Sequence, residues 1–297
     1  MPSMWIVRSP VLVVLALALL ASSGCRRLPR VFRTKQHRTA TAPRRLPPLP
    51  GAQTIQSLAL PSFEAALVAV PVGASISRPV VVALHGQSDS ARANCEAWRT
   101  ITEGSYFVLC PELRRKVSAA DSVSESCTRW DCAADELKEA LVALRRRFGA
   151  YVAPKQVMLA GFGRGAALAV PIAQQNPQVF PILWLIDGGF DSWSNSLSAT
   201  FVERGGKLLG LACTGAACQS EVIRIIASAN AVGLRTVDYR RARGEGEWSP
   251  GLAISLKAAW ESARPKQWPW ALTSVHDATS ATSASSPPEP HPERQVR

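Results

Sequence analysis

Five short, predominantly apolar runs alternate along the chain with longer stretches whose apolar residues recur every three or four positions. The runs are Val80 to Leu84, Tyr106 to Cys110, Gln156 to Ala160, Pro181 to Ile186 and Gly206 to Ala212. Each has the length of one strand and almost no polar interruption, which is how a strand buried on both faces of a parallel sheet reads. Between them, Ala134, Leu137, Leu141 and Leu144 mark the buried stripe of a helix from Asp131 to Phe148. A second helix opens at Ala166 and runs toward Gln174 and Gln175, a third covers Glu221 to Ala231, and Leu252, Leu256 and Trp260 lie on a last one. This alternation predicts the α/β class, with a doubly wound, mostly parallel sheet and helices on both faces. No internal repeat is apparent.

The pattern weakens at both ends and divides the chain into four parts. Residues 1–24 read as a signal peptide, 25–50 as a basic, proline-rich tether, 51–270 as the folded domain and 271–297 as a Ser/Thr/Pro-rich tail with no apolar period to bury.

One turn between a strand and a helix carries the chemistry. After Gln156 to Ala160 comes Gly161-Phe162-Gly163-Arg164-Gly165, and a helix follows at once. A nucleophile elbow, Gly-x-Ser-x-Gly, uses this context: a strained turn lifts one side chain clear of the sheet, and a backbone N–H behind it faces the substrate. Here glycine stands at the serine position. A phosphate loop is disfavoured, because no Gly-Lys-Ser/Thr and no dinucleotide fingerprint is present.

Together with Val80 to Leu84 leading into His85-Gly86, and Tyr106 to Cys110 leading into Pro111, this turn makes residues 60 to 264 resemble the α/β-hydrolase superfamily, in its small secreted esterase, dienelactone-hydrolase and peptidase-like branch. The resemblance implies an oxyanion-hole region at His85, Gly86, Gln87 and Arg164. It also implies a histidine base in the loop before the last helix, where Ala242 to Pro250 places Glu247 instead. The acid usually follows the seventh strand, yet Cys213 to Cys218 offers no carboxylate, which leaves Asp187 or Asp191 as stand-ins.

The four histidines restrict the chemistry further. His37 lies in the tether, His276 and His291 in the tail, and only His85 in the domain, at the oxyanion turn. Imidazole is the side chain that accepts and returns a proton near neutral pH, so a degenerate member lacking both nucleophile and base is the expectation. The alternative is an atypical hydrolase in which Glu247 activates a water over Gly163. Ser88 reads as a helix or turn cap before Ala91 rather than as a substitute nucleophile. Trp193 and Trp248 fall in loops at the mouth of the expected site and are candidates to line a pocket. The resemblance brings no cofactor, and no metal set is expected, since the domain has one histidine and no Cys-x-x-Cys knuckle.

The N-terminus resembles a bacterial lipoprotein signal. Val11 to Ala21 is an apolar run too short to span a bilayer comfortably, and Ala21-Ser22-Ser23-Gly24-Cys25 follows it. Cys25 is then the lipid-bearing first residue of the mature chain, with a plain cleavable signal as the alternative. Arg26 is not the aspartate associated with inner-membrane retention, so an outer-membrane anchor is expected, or else a periplasmic protein. The six remaining cysteines, Cys95, Cys110, Cys127, Cys132, Cys213 and Cys218, are an even number, as suits an oxidising compartment. Proximity favours Cys95 with Cys110, Cys127 with Cys132, and Cys213 with Cys218, although spacing alone does not fix the pairing.

The formal net charge is +12, and its excess is local: residues 26–50 hold eight Lys or Arg and no acid. A proline-rich basic segment with one aromatic, beside an anchor, reads as a tether against anionic headgroups or envelope polymer rather than a nucleic-acid surface. The expected partners are therefore the membrane, through the lipid, and a small-molecule or envelope ligand, with no nucleic acid.

Overall fold

Every residue of the strand Arg78–Leu84 is buried, because α-helices cover both of its faces. The structure is a computed structural model that describes residues 44–51, 54–116, 125–240, 248–266 and 270. In chain order the strands are β1 Ile55–Leu58, β2 Ala66–Ala69, β3 Arg78–Leu84, β4 Phe107–Cys110, β5 Arg114–Arg115, β6 Glu125–Ser126, β7 Val152–Phe162, β8 Ile182–Ile186, β9 Leu208–Cys213 and β10 Arg235–Arg240. The helices are α1 Ala91–Ile101, α2 Trp130–Phe148, α3 Arg164–Gln175, α4 Asn195–Glu203, α5 Gln219–Ala231 and α6 Pro250–Ala263.

Eight strands form one sheet in the order β1-β2-β4-β3-β7-β8-β9-β10. Strands β4, β3, β7, β8, β9 and β10 run parallel, and β1 and β2 add an antiparallel edge. β5 and β6 form a separate two-stranded hairpin. The five apolar runs became the central strands, as doubly wound topology requires.

Side-chain alternation along the strands divides the core into two layers. Val80, Val82 and Leu84 of β3, with Leu183 and Leu185 of β8, pack under α2 to α5, where Leu137, Leu141, Ala169, Phe201 and Ile225 are buried. Val81 and Ala83, with Trp184 and Ile186, face α1 and α6 and meet Trp98, Leu256 and Trp260. β7 is longer than the apolar run predicts, because it bulges against β3: Arg78 pairs with Val152 but Val80 with Val157. Pro154 lies in this irregular stretch, which spares it a place in the regular hydrogen-bond ladder.

The chain enters the fold earlier than residue 51. Leu46 N donates to the Ser75 carbonyl at 2.7 Å, Leu49 is buried, and Tyr151 Oη donates to the Pro47 carbonyl at 2.9 Å. The last residues assigned to the tether therefore belong to the domain. The signal segment, Cys25, Arg26, His37, Glu247 and the tail from residue 271 lie outside the described residues. Among the described residues, no helix is long and apolar enough to cross a membrane.

Three disulfides form, and they join the pairs nearest in sequence. Cys95–Cys110 ties α1 to β4, Cys127–Cys132 ties the end of β6 to the start of α2, and Cys213–Cys218 ties the end of β9 to the start of α5.

Candidate functional site

The turn from β7 into α3 is closed from three sides. Gly163 has φ +52° and ψ −116°, a backbone that L side chains adopt only under strain. It is held there by its N–H, which donates to the Ile186 carbonyl at 2.8 Å, and by its carbonyl, which accepts from Ala166 N and Ala167 N. The flanking glycines are required by close approach. A Cβ on Gly161 would lie 2.5 Å from Ala166 backbone, and one on Gly165 would run into the Leu84 carbonyl.

Gly163 itself is different. Among the described residues, a Cβ built there meets only the Gly86 Cα, at 3.8 Å, so the position where an elbow raises its nucleophile looks onto the His85-Gly86 turn with room for a side chain. The two turns that the sequence pairs as elbow and oxyanion region thus face each other. α3 has no side-chain cap, whereas Ser90, Ser194 and Ser249 cap α1, α4 and α6 by accepting from the N–H of the residue three positions on. The cap of α1 is Ser90; Ser88, expected in that role, is exposed and lies before it.

His85 sits between two loops. Its Nδ1 lies 2.8 Å from the Gly86 carbonyl and its Nε2 3.2 Å from the Glu112 carbonyl. A neutral imidazole can donate to only one of them, and both ring nitrogens face main-chain carbonyls. The residue links the β3 turn to the exit of β4 and presents no spare nitrogen to a nucleophile.

Asp187, at the end of β8, has φ +50° and a carboxylate that accepts from Thr214 N and Thr214 Oγ1, both at 2.7 Å. It locks the ends of β8 and β9 together. Cys213 and Cys218 place their sulfurs close to this carboxylate, but the two are joined in a disulfide and offer no thiolate to a metal. Asp191 is exposed.

Beside the elbow opens a cleft of about 370 Å³ lined by His85, Gly86, Gln87 and Arg164 and, across from them, by Glu112, Arg114 and Cys127. Arg164 donates Nη2 to the Cys127 carbonyl at 3.3 Å. The far wall comes from the β5–β6 hairpin and the residues before it, which no motif announced. Behind that wall is the buried carboxyl of Glu136, whose Oε1 accepts from Leu113 N at 3.2 Å. Burial pushes its pKa up to about 7, more than the loop N–H groups pull it down. A glutamate inside the apolar stripe of α2 was the available sequence signal for it.

The two tryptophans stand elsewhere than expected. Trp193 is buried in the core, where Nε1 donates to Ser198 Oγ at 2.9 Å and the ring meets Phe201 edge-on. Trp248 packs on Phe162, with ring centroids 5.2 Å apart, and edge-on against Trp98. Neither lines the cleft: one fills the layer under α4, and the other covers the back of the elbow strand.

No family model and no curated protein matches the chain. Among solved structures, the protein TT1662 of Thermus thermophilus is similar over 71% of this chain and 98% of its own, with TM-score 0.50 and 14% identity. This chain has the α/β-hydrolase fold. Other structures similar to it are the dienelactone hydrolase of Anabaena variabilis ATCC 29413, at 14% identity over 71% of this chain and 99% of that one, with TM-score 0.47, and an S-formylglutathione hydrolase of Agrobacterium tumefaciens, at 14% identity over 71% and 96%, with TM-score 0.49. At 14% identity the likeness to TT1662 speaks for the fold alone and leaves the chemistry to the residues in the cleft.

Proposed function

We propose that this chain is a pseudo-hydrolase: an envelope lipoprotein whose α/β-hydrolase domain serves as a binding or structural module and does not hydrolyse esters or peptides. The observation that carries this reading is Gly163, which occupies the raised turn of the elbow and supplies no side-chain oxygen. Without a side-chain nucleophile no covalent intermediate forms, and the members of a triad act as a unit, so losing two removes most of what the set supplies. The ring nitrogens of His85, which both face main-chain carbonyls, and the carboxylate of Asp187, spent on Thr214, support the same conclusion. Glu247 lies outside the described residues and stands at the base position by sequence alone.

The deciding experiment measures hydrolysis of an activated ester, with fluorophosphonate labelling alongside, by the unaltered chain and by Gly163→Ser/Glu247→His. A silent parent with a labelled variant is the expected result. Turnover by the parent would overturn the reading and point to a water activated over Gly163.

We also propose that Cys25 carries the lipid and that the basic segment after it lies against anionic headgroups, with the outer membrane favoured by Arg26. An acyl-bearing mass for the N-terminal peptide is expected. A mass without acyl chains would sink the anchor, and recovery in the inner membrane alone would sink the placement.

A further inference from the structure

The charges around the cleft are unequally spent. Asp89, on its rim, is occupied: Oδ1 accepts from Ser90 N at 2.8 Å and Oδ2 from Asn94 Nδ2 at 2.5 Å. Glu112 is the other acid of the lining. Against it stand two arginines, Arg114 and Arg164, neither of which has an ion-pair partner among the described residues. The neighbouring Arg115 shows the contrast, since it faces Asp135 at 3.9 Å. Arg164 is half-buried, and among the described residues its only hydrogen bond is the 3.3 Å contact with the Cys127 carbonyl. Among the described residues, the α3 terminus beneath the cleft has no side-chain cap and no acid in its first turn, which leaves its positive end available to a negative ligand.

We infer that the cleft binds a small ligand through a carboxylate gripped by Arg114 and Arg164. This rests on the reading of the cleft as a binding site that has lost its hydrolysis. A guanidinium presents a planar fork of donors that matches a carboxylate; half-buried Arg164 lies in a medium where the pairing is stronger than in bulk water, and Arg114, which is exposed, closes the pair from the rim. About 370 Å³ accommodates a small molecule and excludes a folded macromolecule. Among the described residues, glycine at 163 leaves room where an elbow serine would stand, so the ligand can reach the N-terminus of α3. The arginines are brought together only in the fold. Arg164 comes from the elbow, and Arg114 from a two-residue strand whose hairpin partner is Glu125–Ser126.

The test is a fluorine NMR titration of the full chain with para-fluorobenzoate and, in parallel, with the neutral isostere para-fluorobenzamide. Saturable binding of the carboxylate, weaker binding of the amide, and a loss of about tenfold or more in Arg164→Gln and in Arg114→Gln are expected, since one charged hydrogen bond is worth about that much. Equal binding of acid and amide would overturn the inference, as would an acid affinity that survives both substitutions or the absence of any saturable shift. The acid-against-amide comparison on the unaltered chain needs no variant to fold. Failure here alongside continued silence toward esters would remove the ligand class and leave the pseudo-hydrolase reading in place; ester turnover by the unaltered chain would do the reverse.

Discussion

Gly163 and Gly165 are two residues apart, and the fold treats them in opposite ways. Gly165 is wedged against Leu84 backbone, so Gly165→Ala must push β3 and α3 apart; unfolding or a loss of more than about 3 kcal/mol is expected in chemical denaturation. Among the described residues, Gly163→Ala meets only an ordinary van der Waals contact with Gly86 Cα and bears chiefly the strain of its positive φ, about 1–3 kcal/mol. A larger loss at Gly163 than at Gly165 would show that the elbow is packed differently. Arg78 makes a different point. Its side chain is buried at the start of β3, with Nε and Nη1 lacking hydrogen-bond partners among the described residues, and desolvation holds its pKa below the usual arginine value. A buried cation without compensation is a net cost, so Arg78→Met is expected to raise stability by about 1–3 kcal/mol. A lowered Tm would mean that the guanidinium serves something that a methionine cannot replace.

The element with a built-in pH response is α2. Glu136 is pushed up from 4.5 to about 7, so between those values the folded chain keeps a proton that the unfolded chain releases. Its contribution is fully favourable below the unfolded value and is lost as pH rises toward 7, by up to about 1.4 kcal/mol per pH unit. Glu136→Gln keeps an acceptor for Leu113 N and removes the titration. The unaltered chain should therefore lose more Tm than the variant between pH 5 and pH 8, and equal slopes would refute the assignment. Leu113 has φ +56° and its neighbours Glu112 and Arg114 line the cleft, so the same carboxyl also fixes the cleft's far wall.

Across the molecule, covalent links secure the ends of elements on the side where the cleft opens and beyond it. Cys95–Cys110 closes the longest span, 15 residues, while the other two span five each. Restricting the unfolded chain is worth about 3 kcal/mol for a 15-residue loop and less for a short one. Cys95→Ser/Cys110→Ser should accordingly lower the guanidinium midpoint more than removal of either short bridge. If a short bridge proves the costlier loss, native packing at that bridge outweighs chain entropy.

The amino-acid order alone determined the central strands, the main helices and the glycine in the elbow, and it favoured the nearest-neighbour cysteine pairs that the fold then joined. These are local patterns, set by periodicity of two and 3.6 residues, by loop length and by turn chemistry. It said little about β1, β2, β10 and the β5–β6 hairpin. These are short or half-exposed and gain their identity from a partner strand distant in sequence. The cleft was half legible: His85, Gly86, Gln87 and Arg164 belong to recognisable turns, while Glu112, Arg114 and Cys127 reach it only through the path of the chain after β4. Trp193 shows the limit most plainly, since a loop position suggested a pocket wall and the fold placed the ring in the core. Which residues share a wall is decided by long-range register and burial, and neither is written in the neighbours of a single residue.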